Sequence, residues 1–361
     1  MPVKRFLITI AIFSLFVFNT AAAWAKEPDT PELTLKQAVE MALKNSTTVK
    51  NGQYSIEQAY ETRKLSSQKL QSVPVGPSES SVTRFFYSLQ QADLNWQVAR
   101  KSYTVLEDSV EYATHQAYTG ILQAQEKVNT CEKALRSSER QRLVAVASYK
   151  VGIINQLSME QTEASLASAK DSYEEAIKAL DDAYQKFNYV VGLWPEDRPK
   201  LTEVPSFEKL SVIDLNNYIE RKLEENPSLW EKEKNVEIAK TALDTFDPTD
   251  PSEPYKSKEI NVDKKILEAA DAKEQARKAL RTLYYTIGQL EEQYPVNVQN
   301  VKVAEESLRI AKLKYEIGMA TSTDVAVEET ALAKAKQQLL NMICQHDVLK
   351  LAFSKPWAYG L

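Results

Sequence analysis

Apolar residues recur along this chain at helical spacing, with few interruptions after Leu33. From Tyr103 they fall at Leu106, Val110, Ala113, Ala117, Ile121, Ala124, Val128, Cys131 and Leu135, in steps of three and four. Leu166, Ala169, Tyr173, Ala176, Leu180, Tyr184, Phe187 and Val191 repeat the pattern, as do Leu332, Ala335, Leu339, Met342, His346, Leu349 and Phe353. Such seams mark helices that pack against partner helices along their whole length. The pattern predicts helices over 35–70, 83–150, 155–190, 214–246, 258–317 and 322–354.

The breaks between these runs are as informative as the runs. "QSVPVGPSESSV" (71–82) gathers two prolines, a glycine and four serines, and it ends the first helix. "DPTDPSEPYKS" (247–257) ends the fourth in the same way. Pro295 falls within the fifth helix and predicts a kink or a split there. In each half, two short helices together match one long helix in length, so the short pair is expected to stack end to end along the long one. That gives a rod of about 100 Å at 1.5 Å per residue.

The two halves also repeat in sequence. "SYKVGIINQLSMEQTEASLASAK" (148–170) aligns without gaps with "KYEIGMATSTDVAVEETALAKAK" (314–336), at an offset of 166. Tyr118-Thr119 matches Tyr285-Thr286 at an offset of 167. Leu35, Val39, Leu43, Val49 and Ala59 match Leu215, Ile219, Leu223, Leu229 and Ala239 at an offset of 180. The second copy is therefore shorter, and the missing residues lie between Ala239 and Tyr285. The expected fold class is all-α: an elongated antiparallel bundle of two repeated helical hairpins. The first repeat occupies 26–200 and the second 201–361.

Composition supports helices, with 8 glycines and 26% charged residues in 361. A formal net charge of −5 gives no electrostatic footprint for nucleic acid. Lys4 and Arg5 precede "FLITIAIFSLFVFNT", and Ala23-Trp24-Ala25 offers the small-x-small cleavage pattern. Residues 1–25 read as a secretory signal, with an uncleaved anchor as the alternative, and the protein as exported.

No enzyme chemistry is written in the chain. Two cysteines and two histidines make neither a metal cluster nor a disulfide framework. His346 falls on the seam of the last helix and is expected to be packed and hydrogen-bonded. His115 has no close cysteine or histidine in sequence. Cys131 and Cys344 stand at similar heights above the helix turns, and whether they pair stays open. Asp247, Asp250 and Glu253 lack the spacing of a calcium loop and read as a solvated turn. No catalytic residue, metal ligand or cofactor is expected.

Two turns do stand out. Tyr149-x-x-Gly152 and Tyr315-x-x-Gly318 each close a long helix within a few residues of the next, and glycine allows the positive φ that such a reversal needs. With these turns, the opening "LTLKQAVEMALKNSTTVKNGQYSIEQA", the "VVGLWP" helix exit at 190–195 and the Pro-rich connector, the chain resembles the TolC-type outer-membrane efflux proteins over nearly all of 33–357. The resemblance implies a homotrimer whose long helices form an α-barrel duct across the periplasm. It implies a docking tip for a periplasmic adaptor (a membrane fusion protein) that links the duct to an inner-membrane transporter. By position the tip contacts are Val151, Gly152, Ile153, Ile317, Gly318 and Met319. Ile154 adds to the apolar surface at the first turn.

The family also places a β-hairpin in each repeat, and there the chain departs. A membrane-spanning hairpin needs roughly 20 residues of alternating polarity plus a turn. "QSVPVGPSESS" and "DPTDPSEPYKS" have neither the length nor the alternation, and proline is confined to strand edges. The expectation is a TolC-like protomer without the β-barrel hairpins, in the cell envelope, serving as the exit duct of an efflux or type I secretion assembly. The alternative is a non-conducting helical envelope scaffold that retains the fold.

Overall fold

The computed structural model describes residues 29–71, 79–246 and 254–360. The expected signal at 1–25, the prolines at 74 and 77 and the carboxylates Asp247, Asp250 and Glu253 lie outside the described residues. Among the described residues the chain is all-α apart from one two-stranded pair. Strand β1 (Glu32–Leu33) is followed by α1 (Leu35–Asn45), α2 (Thr47–Gln71), α3 (Glu79–Lys150) and α4 (Gln156–Val191). Strand β2 (Lys200–Leu201) comes next, then α5 (Leu215–Glu225), α6 (Pro227–Asp244), α7 (Tyr255–Glu316) and α8 (Ser322–Ser354). A 3-10 turn, Pro356–Tyr359, follows. At 72 residues α3 is about 110 Å long.

The short helices run along the long ones as expected, but each first short helix is divided in two. Ser46 separates α1 from α2, and its hydroxyl accepts from the Val49 N–H at 3.2 Å. Asn226, at the same place 180 residues on, accepts from the Ser228 and Leu229 N–H groups, with Pro227 at the first helical position. Both are side-chain N-caps that restart a helix after one non-helical residue. Pro295 neither splits nor ends α7, which runs unbroken from Tyr255 to Glu316. Helices α3 and α7 also begin earlier than expected, at Glu79 and Tyr255. That leaves only 72–78 and 245–254 as connectors, shorter than the roughly 20 residues of a membrane-crossing hairpin. No helix among the described residues is long and apolar enough to cross a membrane.

Along the lower half the helices lie side by side in the order α4, α3, α8, α7, so α3 and α8 join the two repeats. Along the upper half α2 packs on α3, and α6 packs on α7 and touches α3. Two cores hold the middle. Leu33, Ala38, Tyr118, Ile121, Leu122, Phe187 and Val191 form the first. Ile219, Leu223, Leu229, Leu280, Leu283, Ile287 and Phe353 carry the second.

These cores fix the repeat register. Tyr118 packs on Phe187 with ring centroids 6.1 Å apart, and Tyr284 packs on Phe353 at the same 6.1 Å. Ile121 and Ile287 are both fully buried. All three correspondences have an offset of 166, so Tyr118 pairs with Tyr284 rather than with Tyr285, which is exposed. The offset is thus constant from the cores down through both turns.

Local locks hold the helix ends beside these cores, and the last of them ties the C-terminus to α3. Gly192, at φ 83°, caps α4, and Asn45 Nδ2 donates to the Val191 carbonyl beside it at 2.8 Å. Buried Asn188 donates to the carbonyls of Trp194 and Asp197, each at 2.9 Å. At the C-terminus Lys355 Nζ donates to Asp108 and to Glu111, each at 2.7 Å, and Trp357 Nε1 donates to the other Asp108 oxygen at 2.6 Å. Burial works against the Lys355 charge, but the two carboxylates outweigh it and hold its pKa above the usual lysine value.

Candidate docking tip

The two turns at the end of the rod are built alike. Helix α3 closes with Gly152 N–H donating to the Tyr149 carbonyl at 3.0 Å and Ile153 N–H to Ser148 at 2.8 Å. Helix α7 closes with Gly318 N–H donating to Tyr315 at 3.0 Å and Met319 N–H to Lys314 at 2.7 Å. The glycines stand at φ 75° and 74°, the left-handed conformation that lets the last carbonyls be satisfied while the chain reverses. Nothing lies within 4 Å of a Cβ built on either glycine, so backbone conformation and not space selects the residue.

The return helices start on side-chain caps. Asn155 accepts from the Ser158 N–H at 2.9 Å. Thr321 and Asp324 form a full capping box, in which the Thr321 N–H donates to Asp324 at 2.7 Å. That backbone donor, with the Thr321 hydroxyl, holds the Asp324 carboxyl below its usual pKa.

With the polar backbone satisfied, the side chains at the turns project outward. Val151, Ile153, Ile317 and Met319 are exposed, Ile153 at 75% and Met319 at 74%. Gly152 and Gly318 are exposed between them. Ile154 is only half-buried, so it is less available than its neighbours. Leu157, one turn into α4, is exposed as well. Arg140 Nη1 donates to the Ser322 carbonyl at 3.1 Å and ties α3 to the start of α8 beside the second turn.

The remaining candidate chemistry is structural. His346 is buried, with Nε2 3.1 Å from Glu291 Oε1 and its ring 4.8 Å from Phe207. The Leu210 N–H donates to the same Glu291 oxygen at 2.6 Å, so this histidine helps pin the connector onto the bundle. Cys131 and Cys344 are buried free thiols, and burial, with Asp347 adding, pushes the Cys344 thiol up to about 12. No group of His, Cys, Asp and Glu among the described residues is arranged to hold a metal.

Residues 252–346 match the family model described as outer membrane efflux protein, covering α7 and most of α8. No curated protein matches the chain. Among solved structures, CusC aligns with a TM-score of 0.69 at 12% identity, over 91% of this chain and 93% of that one. The Campylobacter jejuni CmeC outer membrane channel aligns at 0.62 and 16% identity, over 94% and 91%. The open state of the Neisseria gonorrhoeae MtrE outer membrane channel aligns at 0.61 and 14%, over 90% and 88%. At these identities the alignments show the fold, and the proteins that share it are channels rather than enzymes. By the family match in its second repeat and by its fold along 91% of its length, the chain is similar to the outer membrane efflux proteins.

Proposed function

We propose that this protein is the exit-duct component of an efflux or type I secretion assembly, and that it docks a periplasmic adaptor through the turns at Gly152 and Gly318. The observation that carries this reading is the pair of matching turns, each with a satisfied backbone and an exposed apolar rim: Val151 and Ile153 on one, Ile317 and Met319 on the other. An apolar, partly methionine-lined rim on a rigid turn suits a partner helix laid against it. Export through the signal at 1–25 would put the rod in the cell envelope, and several copies side by side would enclose the duct. Transport is passive in this reading, with energy supplied by an inner-membrane transporter.

The test is a pull-down from membrane extract with wild type against Gly318→Pro combined with Met319→Asp. Wild type is expected to capture an adaptor and the variant to lose it. Equal capture by both, or no adaptor with either, overturns the docking role. The second reading, a helical envelope scaffold without conduction, is favoured by the short connectors 72–78 and 245–254. Substrate accumulation in cells lacking the protein separates the two, because a scaffold leaves efflux unchanged.

A further inference from the structure

A trough runs along the bundle where α3 lies between α4 and α8, and all three helices line it. On α3, Lys127, Cys131 and Ala134 take part, at spacings that keep them on one side of the helix. On α8, Lys334, Gln337 and Asn341 do the same. The trough has a volume of about 800 Å³, which suits a small molecule. A second cleft of about 620 Å³ continues it away from the turns, and Lys127, Gln337 and Asn341 line both.

Charge sets this trough apart from the rest of the rod. The chain carries a net −5, yet no Asp or Glu is among the described residues lining either cleft. The two charges present are Lys127 and Lys334, both exposed, and neither pairs with a carboxylate among the described residues. Gln123 donates to the Asn341 carbonyl, which sets Lys127 level with Gln337 and Lys334 about one turn below. The internal repeat supplies the comparison. At the offset of 166, Gln337 and Asn341 stand where α4 has Asp171 and Glu175, and Lys334 stands where α4 has Ser168. One copy carries two carboxylates; the copy that lines the trough carries two carboxamides and a cation.

Asn341 adds a second requirement. Its Oδ1 is buried and accepts no hydrogen bond from the described residues. A buried carbonyl oxygen without a donor is costly, so an occupant that brings an N–H or O–H is favoured there. Ser168 and Ser172 on α4 place hydroxyl donors on the wall facing the lysines. We propose that this trough binds an organic anion. Its carboxylate or sulfonate is held by Lys127 and Lys334, its N–H or O–H donates to Asn341 Oδ1, and its apolar body lies over Cys131 and Ala134. An inorganic anion meets only the first of these requirements. The site is complete within one chain, and only the further step, that the bound anion is cargo, rests on the duct reading.

The test titrates the full-length protein with anilinonaphthalene sulfonate, which fluoresces when bound, and with phenylnaphthylamine, the same ring system without the sulfonate. Saturable binding of the sulfonate at one site per chain is expected, with the neutral probe at least about tenfold weaker. Lys127→Glu with Lys334→Glu is expected to weaken the sulfonate at least about tenfold and to leave the neutral probe unchanged. Both lysines are exposed, and the helical signal of the variant checks its fold. Lys170→Glu with Lys178→Glu makes the same change of charge at exposed α4 positions outside the trough, and sulfonate binding is expected to persist. No saturable sulfonate binding, equal affinity for the two probes, or sulfonate binding that survives the first variant overturns the inference. So does equal loss in the second variant. Accumulation of the sulfonate in cells with and without the protein separates the site from the duct. Binding with equal accumulation leaves the site standing and refutes the duct for this anion. Unequal accumulation without binding refutes the site and leaves the duct standing.

Discussion

Tyr118 meets Phe187 edge-on, with ring centroids 6.1 Å apart and planes at 66°, where a long helix and its returning helix cross the strap that carries Glu203. The Tyr118 hydroxyl donates to the Glu203 carbonyl and accepts from the Glu203 N–H, each at 3.1 Å. Phe187 is fully buried, as is its counterpart Phe353. Phe187→Ala and Phe353→Ala are each expected to cost about 3–5 kcal/mol, read from denaturant midpoints. Similar losses from both would confirm that the two cores carry equal weight.

Gly192 and Gly152 share a positive φ but not their surroundings. A Cβ at Gly192 would stand 2.6 Å from Asn45 Nδ2, whereas one at Gly152 meets nothing within 4 Å. Gly152→Ala is expected to cost about 1–2 kcal/mol for the left-handed backbone alone. Gly192→Ala is expected to cost clearly more, because it also displaces the Asn45 amide from the Val191 carbonyl. Equal thermal shifts for the two variants would refute the crowding at Asn45.

The C-terminal lock has a pH signature. Lys355 has a raised pKa, so its contribution is fully present below the unfolded lysine value of about 10.4 and is lost as pH climbs through the higher folded value. Loosening of the tail is expected only in that alkaline range, followed through Trp357 fluorescence. Asp108→Ala should reproduce it at neutral pH, at a cost of about 2 kcal/mol, since it removes partners from both Lys355 and Trp357.

The two turns should respond differently to acid. Asp324 has a lowered pKa, so its capping contribution is present above the unfolded carboxylate value of about 3.9 and fades as pH falls through the lower folded value. The first turn starts α4 on Asn155 with Ser158 where the second has Asp324, so it carries no such carboxylate. Backbone NMR shifts of 321–325 are expected to titrate below pH 4 while those of 155–159 stay still.

Much of this was legible in the chain, because a seam with steps of three and four and a glycine turn each have one physical solution. The misses have causes too. Ser46 and Asn226 restart helices without disturbing the apolar spacing, so periodicity read straight through them, although Asn226-Pro227-Ser228 is a stop-and-start signal in its own right. Pro295 looked like a break, but a proline removes one N–H and need not end a helix held by packing on both sides of it. The Tyr-Thr pair at 285–286 drew the repeat one residue out of register, since a two-letter match costs nothing by chance while a buried ring decides. The exposed rim of the turns followed from the glycines.

The unvarying offset below Tyr284 has a mechanical meaning. Helices α3 and α7 act as two rulers of equal length measured from Tyr118 and Tyr284, and they deliver both glycine turns to one level. Deleting a single residue from α7 between Tyr284 and Gly318 would turn that tip by about 100° around the helix axis and draw it back by about 1.5 Å. The same deletion above Ala272, before α7 reaches its core, would be absorbed there and leave the level of the tips untouched. The natural difference in length between the repeats lies above that point, where the level of the tips is indifferent to it.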